Sequence, residues 1–181
     1  HESPRRGETF VTRKITTGLS RIVYGLQDCL YLGNLNAKRD WGHARDYVEM
    51  QWLMLQQKEP KDYVIATGLT YSIKQFIEKS CFHLGIQIKY EGEGINEIGI
   101  INEISNKLVS GSNVKKGDII VRVDPKYFRP TEVDALIGDP SLAKKNLNWS
   151  PSTSIDQLVG EMIDNDMTQA LREKTILNKG I

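Results

Sequence analysis

The stretch DYVIATGLTYSIKQFIEKSCFHLGIQIKY, residues 62–90, changes hydrophobic period twice in 29 positions, and its reading decides the fold. DYVIATG is a short apolar run ending at Gly68, the pattern of a buried strand. Ser72 with Gln75 three residues on is a capping box. Behind it Ile73, Phe76, Ile77, Cys81 and Leu84 trace the buried stripe of a helix that stops at Gly85. IQIKY then alternates apolar with polar, as a half-buried strand does.

Working outward, the same strand and helix patterns recur. Val11, Ile15, Leu19, Ile22 and Val23 predict a helix closed by Gly25, and CLYL (29–32) predicts a brief strand before Gly33 and Asn34. A helix from His43 or Ala44 should bury Val48, Trp52 and Leu55 and end before Pro60. DIIVRVD (118–124) reads as a strand, and a short helix should begin near Asp139. Ser154 and Gln157 repeat the capping box ahead of Ile155, Leu158, Val159 and Met162. The Gly- and Asn-rich stretch 91–117 is expected to be loop with at most short strands, and the polar tail after Asp166 is expected to fray. Helices alternating with strands predict an α/β protein whose strands are largely covered.

Composition narrows the functions. With 181 residues, 39% hydrophobic and 26% charged, this is an ordinary globular chain. Its 24 Lys and Arg nearly balance 23 Asp and Glu, so no global field draws it to nucleic acid or membrane, and any anion is bound locally. Cys29 and Cys81 sit in apolar surroundings, which suits reduced, buried thiols and a cytoplasmic location better than a disulfide framework. No two glycines stand three apart and no tyrosine has a lysine four residues on. Neither a dinucleotide-phosphate turn nor a Tyr–Lys proton-transfer pair can be assembled here. Asp40, His43 and Asp46 make only a loose metal set, and Asp46 with Glu49 reads more simply as a solvated acidic face. His83 borders its helix's apolar stripe as a boundary residue.

More telling are arginines beside glycine or proline. Arg39 and Asp40 in KRDWGHARDY come just ahead of a helix start, where a guanidinium and free N–H groups can share an anion; a salt bridge from Arg39 to Asp40 or Asp46 accounts for it equally well. In YFRPTEVD, Pro130 keeps Arg129 extended, with Glu132 following. An arginine gripping a diphosphate and a carboxylate accepting from a ribose diol would fit that order, and so would a surface turn. HESPRRGETF places Arg5 and Arg6 before the first helix, either as a phosphate site or as an exposed basic turn.

Taken together, HESPRRGETFVTRKIT (1–16), YLGNLNAKRDWGHARDYVEMQWLMLQ (31–56), DYVIATG (62–68) and DPKYFRPTEVDALIGDPSLAKKNLNW (124–149) resemble the C-terminal half of the GDP-mannose 4,6-dehydratases, in order and over nearly the whole chain. Stretch 91–117 and the tail resemble the family loosely. The resemblance implies the C-terminal part of a Rossmann-type extended short-chain dehydrogenase/reductase with its smaller substrate-binding domain. Residues 1–181 would then follow the sixth Rossmann strand. The cofactor turn and the catalytic Thr, Glu, Tyr and Lys would lie in a preceding half, leaving no catalytic residue in this chain. The implied activity converts GDP-mannose to GDP-4-keto-6-deoxymannose, with NADP regenerated in each turnover, in a dimer or tetramer. By the same resemblance His1 and Arg6 contact NADP, Arg39 and Arg129 clamp the diphosphate, Glu132 holds the ribose, and Lys14 lies near the guanine. Alternatives are another nucleotide-sugar epimerase or reductase of that superfamily, or a non-catalytic GDP-sugar-binding protein.

Overall fold

The computed structural model describes residues 1–133 and 135–179. Its elements are α1 (Val11–Val23), β1 (Leu30–Leu32), β2 (Lys38–Arg39), α2 (Ala44–Leu55), β3 (Tyr71–Ser72), α3 (Ile73–His83), β4 (Ile86–Glu91), β5 (Ile98–Ile104), β6 (Ile119–Val123), α4 (Ser141–Leu147) and α5 (Ile155–Asn178). A four-stranded sheet runs β1-β6-β5-β4, and β2 pairs with β3 separately. Among the described strands of the four-stranded sheet, β1 and β6 pair in parallel and the other neighbours antiparallel.

The sheet is therefore mixed, and its strands are less covered than the sequence predicts. Along β4, Ile86 is buried while Gln87, Lys89 and Glu91 are exposed, the alternation of a sheet packed on one face. Helices α1, α3 and α5 pack on one another, and α3 and α1 reach β4 and β1. Ile15, Leu19, Phe76, Ile77, Leu158 and Met162 are all fully buried in the resulting core. Both capping boxes form, at Ser72–Gln75 and Ser154–Gln157, so those two helices begin where the sequence predicts.

Four expectations are corrected. Residues 62–68 form no strand: the amides of Thr67 and Gly68 donate to the Asp40 carboxylate, at 3.0 and 2.9 Å, instead of to a ladder. Stretch 91–117 contains β5, a seven-residue strand paired on both sides. Its Gly99 is required by close packing, because a Cβ there would meet Ile88 and Val121 side-chain atoms at 2.7 and 2.9 Å. Helix α2 is rotated from the expected setting, burying Asp46, Tyr47 and Met50 against Ala143, Leu147 and Trp149, while Val48, Trp52 and Leu55 face outward.

The tail, finally, is helical to Asn178, and its last two residues lie outside the described ones. Buried Asp166 explains this. It accepts from Thr16 Oγ1 at 2.7 Å and from Arg13 Nη2 at 2.8 Å, and Arg21 pairs with Glu173 one stretch further along. Polar residues thus dock the helix onto α1. No described helix is long and apolar enough to cross a membrane. Both cysteines are buried free thiols; burial raises the Cys29 pKa and pushes that of Cys81 up to about 12.

Candidate functional site

The site begins with a strand end. Arg39 closes β2, held in register by pairing of Lys38 with Ser72 and of Arg39 with Tyr71. On the other side of β2, Lys38 bridges to Ala135 and its carbonyl accepts from the Leu136 amide at 3.1 Å. That contact lays the segment carrying Arg129 and Glu132 beside Arg39. The guanidinium Nη1 donates to the carbonyls of Lys38 and Val133 at 2.7 and 2.9 Å, and Nη2 donates to Glu132 Oε1 at 2.6 Å. Neither sequence-derived salt-bridge partner of Arg39 is used: Asp40 and Asp46 hold other backbone.

The neighbouring turn is pinned to the end of β1. Leu32 accepts from the Asp124 amide at 2.8 Å, and Asp124 accepts from the Tyr127 amide at 2.9 Å. A Cβ at Gly33 would lie 2.2 Å from the Tyr127 carbonyl oxygen, so only glycine admits this approach. Asn34 clasps the Arg129 backbone from both sides, its Oδ1 accepting from the amide and its Nδ2 donating to the carbonyl, each at 2.8 Å. From α1, the Lys14 ammonium sits 4.0 Å over the Tyr127 ring. Burial lowers the Lys14 pKa, with Asp124 opposing the shift.

These elements enclose an open cleft of about 310 Å³ walled by Lys14, Asn34, Tyr127, Arg39, Arg129 and Glu132. Leu32, Ala37 and Ile73 supply apolar lining, and Lys126 adds a further cation. A chain with a net charge of +1 thus gathers four cations against one carboxylate in a single concavity. The arrangement suits a ligand with an anionic group, a polar middle and an apolar or aromatic end.

All four residues predicted to contact substrate meet in this cleft, and the two predicted to contact cofactor do not line it. His1 packs edge-on against Tyr47 at 4.9 Å. Arg6 stacks on Phe10 at 3.5 Å, and its Nε lies 3.4 Å from buried Glu2 but makes no hydrogen bond. Glu2 straps this segment down, donating its amide to Gly42 and accepting from Ala44. Sequence reasoning missed Asn34, Tyr127 and Lys126. Asn34 carried one usable signal, its place after a strand-ending glycine.

The loose metal set disperses. Asp40 binds the 67–68 turn, and His43 caps α2 by accepting from the Arg45 amide at 3.0 Å while its Nε2 meets Glu161 at 2.9 Å. Asp46 is no solvated acid: it is buried and accepts from Ser152 Oγ and the Thr153 amide at 2.8 and 2.9 Å. Burial alone would raise its pKa, but hydrogen bonds from Thr153 and Ser152 outweigh that and lower it. Among the described residues no group of three His, Cys, Asp or Glu could hold a metal. His83 is a partly exposed boundary residue, 2.8 Å from Asp164.

Solved structures show the fold. RMD from Pseudomonas aeruginosa, complexed with NADPH, superposes with a TM-score of 0.69 over 93% of this chain and 46% of that one, at 16% identity. The likeness shows the fold, a Rossmann-type α/β architecture that this chain shares with part of that one. The family model described as GDP-mannose 4,6 dehydratase matches residues 1–162, and this chain belongs to that family. A GDP-mannose 4,6-dehydratase of Vibrio cholerae serotype O1 is 56% identical over 170 residues, 94% of this chain and 45% of that protein. One of Yersinia enterocolitica serotype O:8 is 52% identical over 180 residues, 99% of this chain and 48% of its own. The chain spans about half the length of the curated relatives it matches.

Proposed function

We propose that this chain supplies the nucleotide-sugar site of a GDP-mannose 4,6-dehydratase, the activity that converts GDP-mannose to GDP-4-keto-6-deoxymannose. The observation that carries the reading is the convergence of Lys14, Arg39, Arg129 and Glu132, from α1, β2 and the segment after β6, on one cleft. Arg39 and Arg129 hold the diphosphate, Glu132 accepts from the ribose hydroxyls, and Lys14 lies at the guanine. Fixing the nucleotide aligns the hexose, and that alignment is this half's contribution to rate. The reacting Thr, Glu, Tyr and Lys belong to the other half of the enzyme.

The chemistry is an internal redox elimination. Oxidation at C4 removes a hydride and the hydroxyl proton and makes a ketone that acidifies the C5 proton; loss of that proton expels the C6 hydroxyl as water, and return of the hydride to C6 with a proton to C5 completes the sequence. Bound NADP would supply the hydride acceptor and donor. Within this chain Arg6 suits one of its phosphates: its side chain is partly exposed, while its buried Nε is turned to Glu2. His1, beside Tyr47, is the second cofactor contact in this reading.

A domain exchange tests the activity. The matching 170 residues of the Vibrio relative are replaced by this sequence, and GDP-mannose conversion is followed by mass spectrometry. Formation of a product lighter by one water supports the reading. A folded, NADP-binding chimera that leaves GDP-mannose unchanged overturns it and favours another nucleotide-sugar reaction.

A further inference from the structure

We infer that the Tyr127 ring is the platform on which the nucleobase of a bound nucleoside diphosphate stacks. The inference rests on the nucleotide reading of the cleft and adds a residue and a mode of base recognition to it. Tyr127 lines the cleft, yet 46% of it is exposed, so it is not placed there as core. Its backbone is fixed more firmly than an ordinary exposed tyrosine requires. The Asp124 carbonyl accepts its amide, Leu32 anchors Asp124, and Gly33 gives up a side chain so that the Tyr127 carbonyl can approach. The turn fixes where the ring is rooted, and the Lys14 ammonium, 4.0 Å over the ring centroid, covers one face, so the base stacks on the face turned away from Lys14.

Position relates the ring to the anion grip. Tyr127 and Arg129 are two residues apart, a span of at most about 7 Å along extended chain, so one ligand can touch both. The Asn34 clasp on Arg129 and the Gly33 approach to Tyr127 come from adjacent residues at the end of β1. One short strand therefore sets the spacing between the cationic and aromatic parts of the cleft. The ammonium groups of Lys14 and Lys126 stand 4.0 and 5.9 Å from the ring centroid, which marks the ring's surroundings as electropositive. Electron-rich heterocycles carrying carbonyl oxygens are favoured there, since ammonium groups only donate.

The test separates base from diphosphate. The 181-residue chain is titrated calorimetrically with GDP and with ribose 5-diphosphate, which keeps the sugar and both phosphates and lacks the base. Wild type is expected to bind GDP more tightly, by about five- to a hundredfold. Tyr127→Ala is expected to erase that advantage, bringing GDP down to ribose 5-diphosphate, whose affinity holds and so reports an intact cleft. Tyr127→Phe keeps the GDP affinity, because the ring and not the hydroxyl is used. Equal losses for both ligands in Tyr127→Ala, or no loss for either, overturn the stacking role while Arg129→Ala still weakens both. A wild-type chain that binds neither ligand overturns the cleft reading and the platform with it.

Discussion

Arg39 Nη2 donates to Glu132 Oε1 at 2.6 Å across 93 residues of sequence, and both groups are largely buried. The carboxylate and the Lys38 and Val133 carbonyls together set the plane of the guanidinium before any ligand is considered. Arg39 and Glu132 therefore act as one unit. Arg39→Ala and Glu132→Ala should each weaken GDP binding about tenfold, and the double variant should lose scarcely more than the worse single one. A titration cycle in which the two losses add would separate them.

The joint between α1 and α5 depends on a buried charge. Arg13 and Asp166 pair at 2.8 Å with little exposure on either side, and Thr16 and Thr17 also donate to the carboxylate. Asp166→Ala leaves Arg13 uncompensated and should destabilise the chain by about 3 kcal/mol in urea denaturation. Replacing both partners, with Met at 13 and Leu at 166, should restore most of that loss.

Asp46 gives stability a pH dependence. Its hydrogen bonds hold the native pKa below the ordinary value, so the unfolded state takes up a proton first as pH falls. The contribution is full at neutral pH, shrinks as pH drops through the unfolded value of about 3.9, and is gone below the native one. Asp46→Asn should cost on the order of 1 kcal/mol at pH 7, with the difference from wild type closing toward pH 3. A difference that stays constant over that range would contradict the linkage.

Thiol chemistry should follow burial. With the Cys81 pKa pushed up to about 12 and that of Cys29 also raised, iodoacetamide at pH 8 should label neither cysteine in the folded chain and both in urea. Mass spectrometry counts the adducts. Rapid native labelling of Cys81 would show that α3 opens far more easily than its packing implies.

How much of this was legible in sequence depended on whether the signal was local. Both capping boxes are four-residue patterns satisfied by their own helix, and α3 and α5 start where they predict. Strand β5 was hidden because Ile98–Ile104 carries Gly99, Asn102 and Glu103, and its partners on both sides supply the reason it is a strand. DYVIATG failed in the opposite way: a strand-like composition met the Asp40 carboxylate instead of a neighbouring strand. Helix α2 is apolar on two faces, so periodicity could not choose between Val48, Trp52 and Leu55 and the Tyr47, Met50 face that packs on α4. For the cleft, the arginines stood out by their glycine and proline neighbours. Asn34 and Tyr127 act through backbone contacts with residues about 95 positions away, which no local pattern encodes.

The most direct measurement is calorimetric titration of the chain with GDP-mannose, wild type beside Arg129→Ala. Wild type is expected to bind in the micromolar range, and the variant to lose at least about tenfold. Absence of binding by wild type, or equal affinity in both, would contradict the assignment of the cleft as the nucleotide-sugar site.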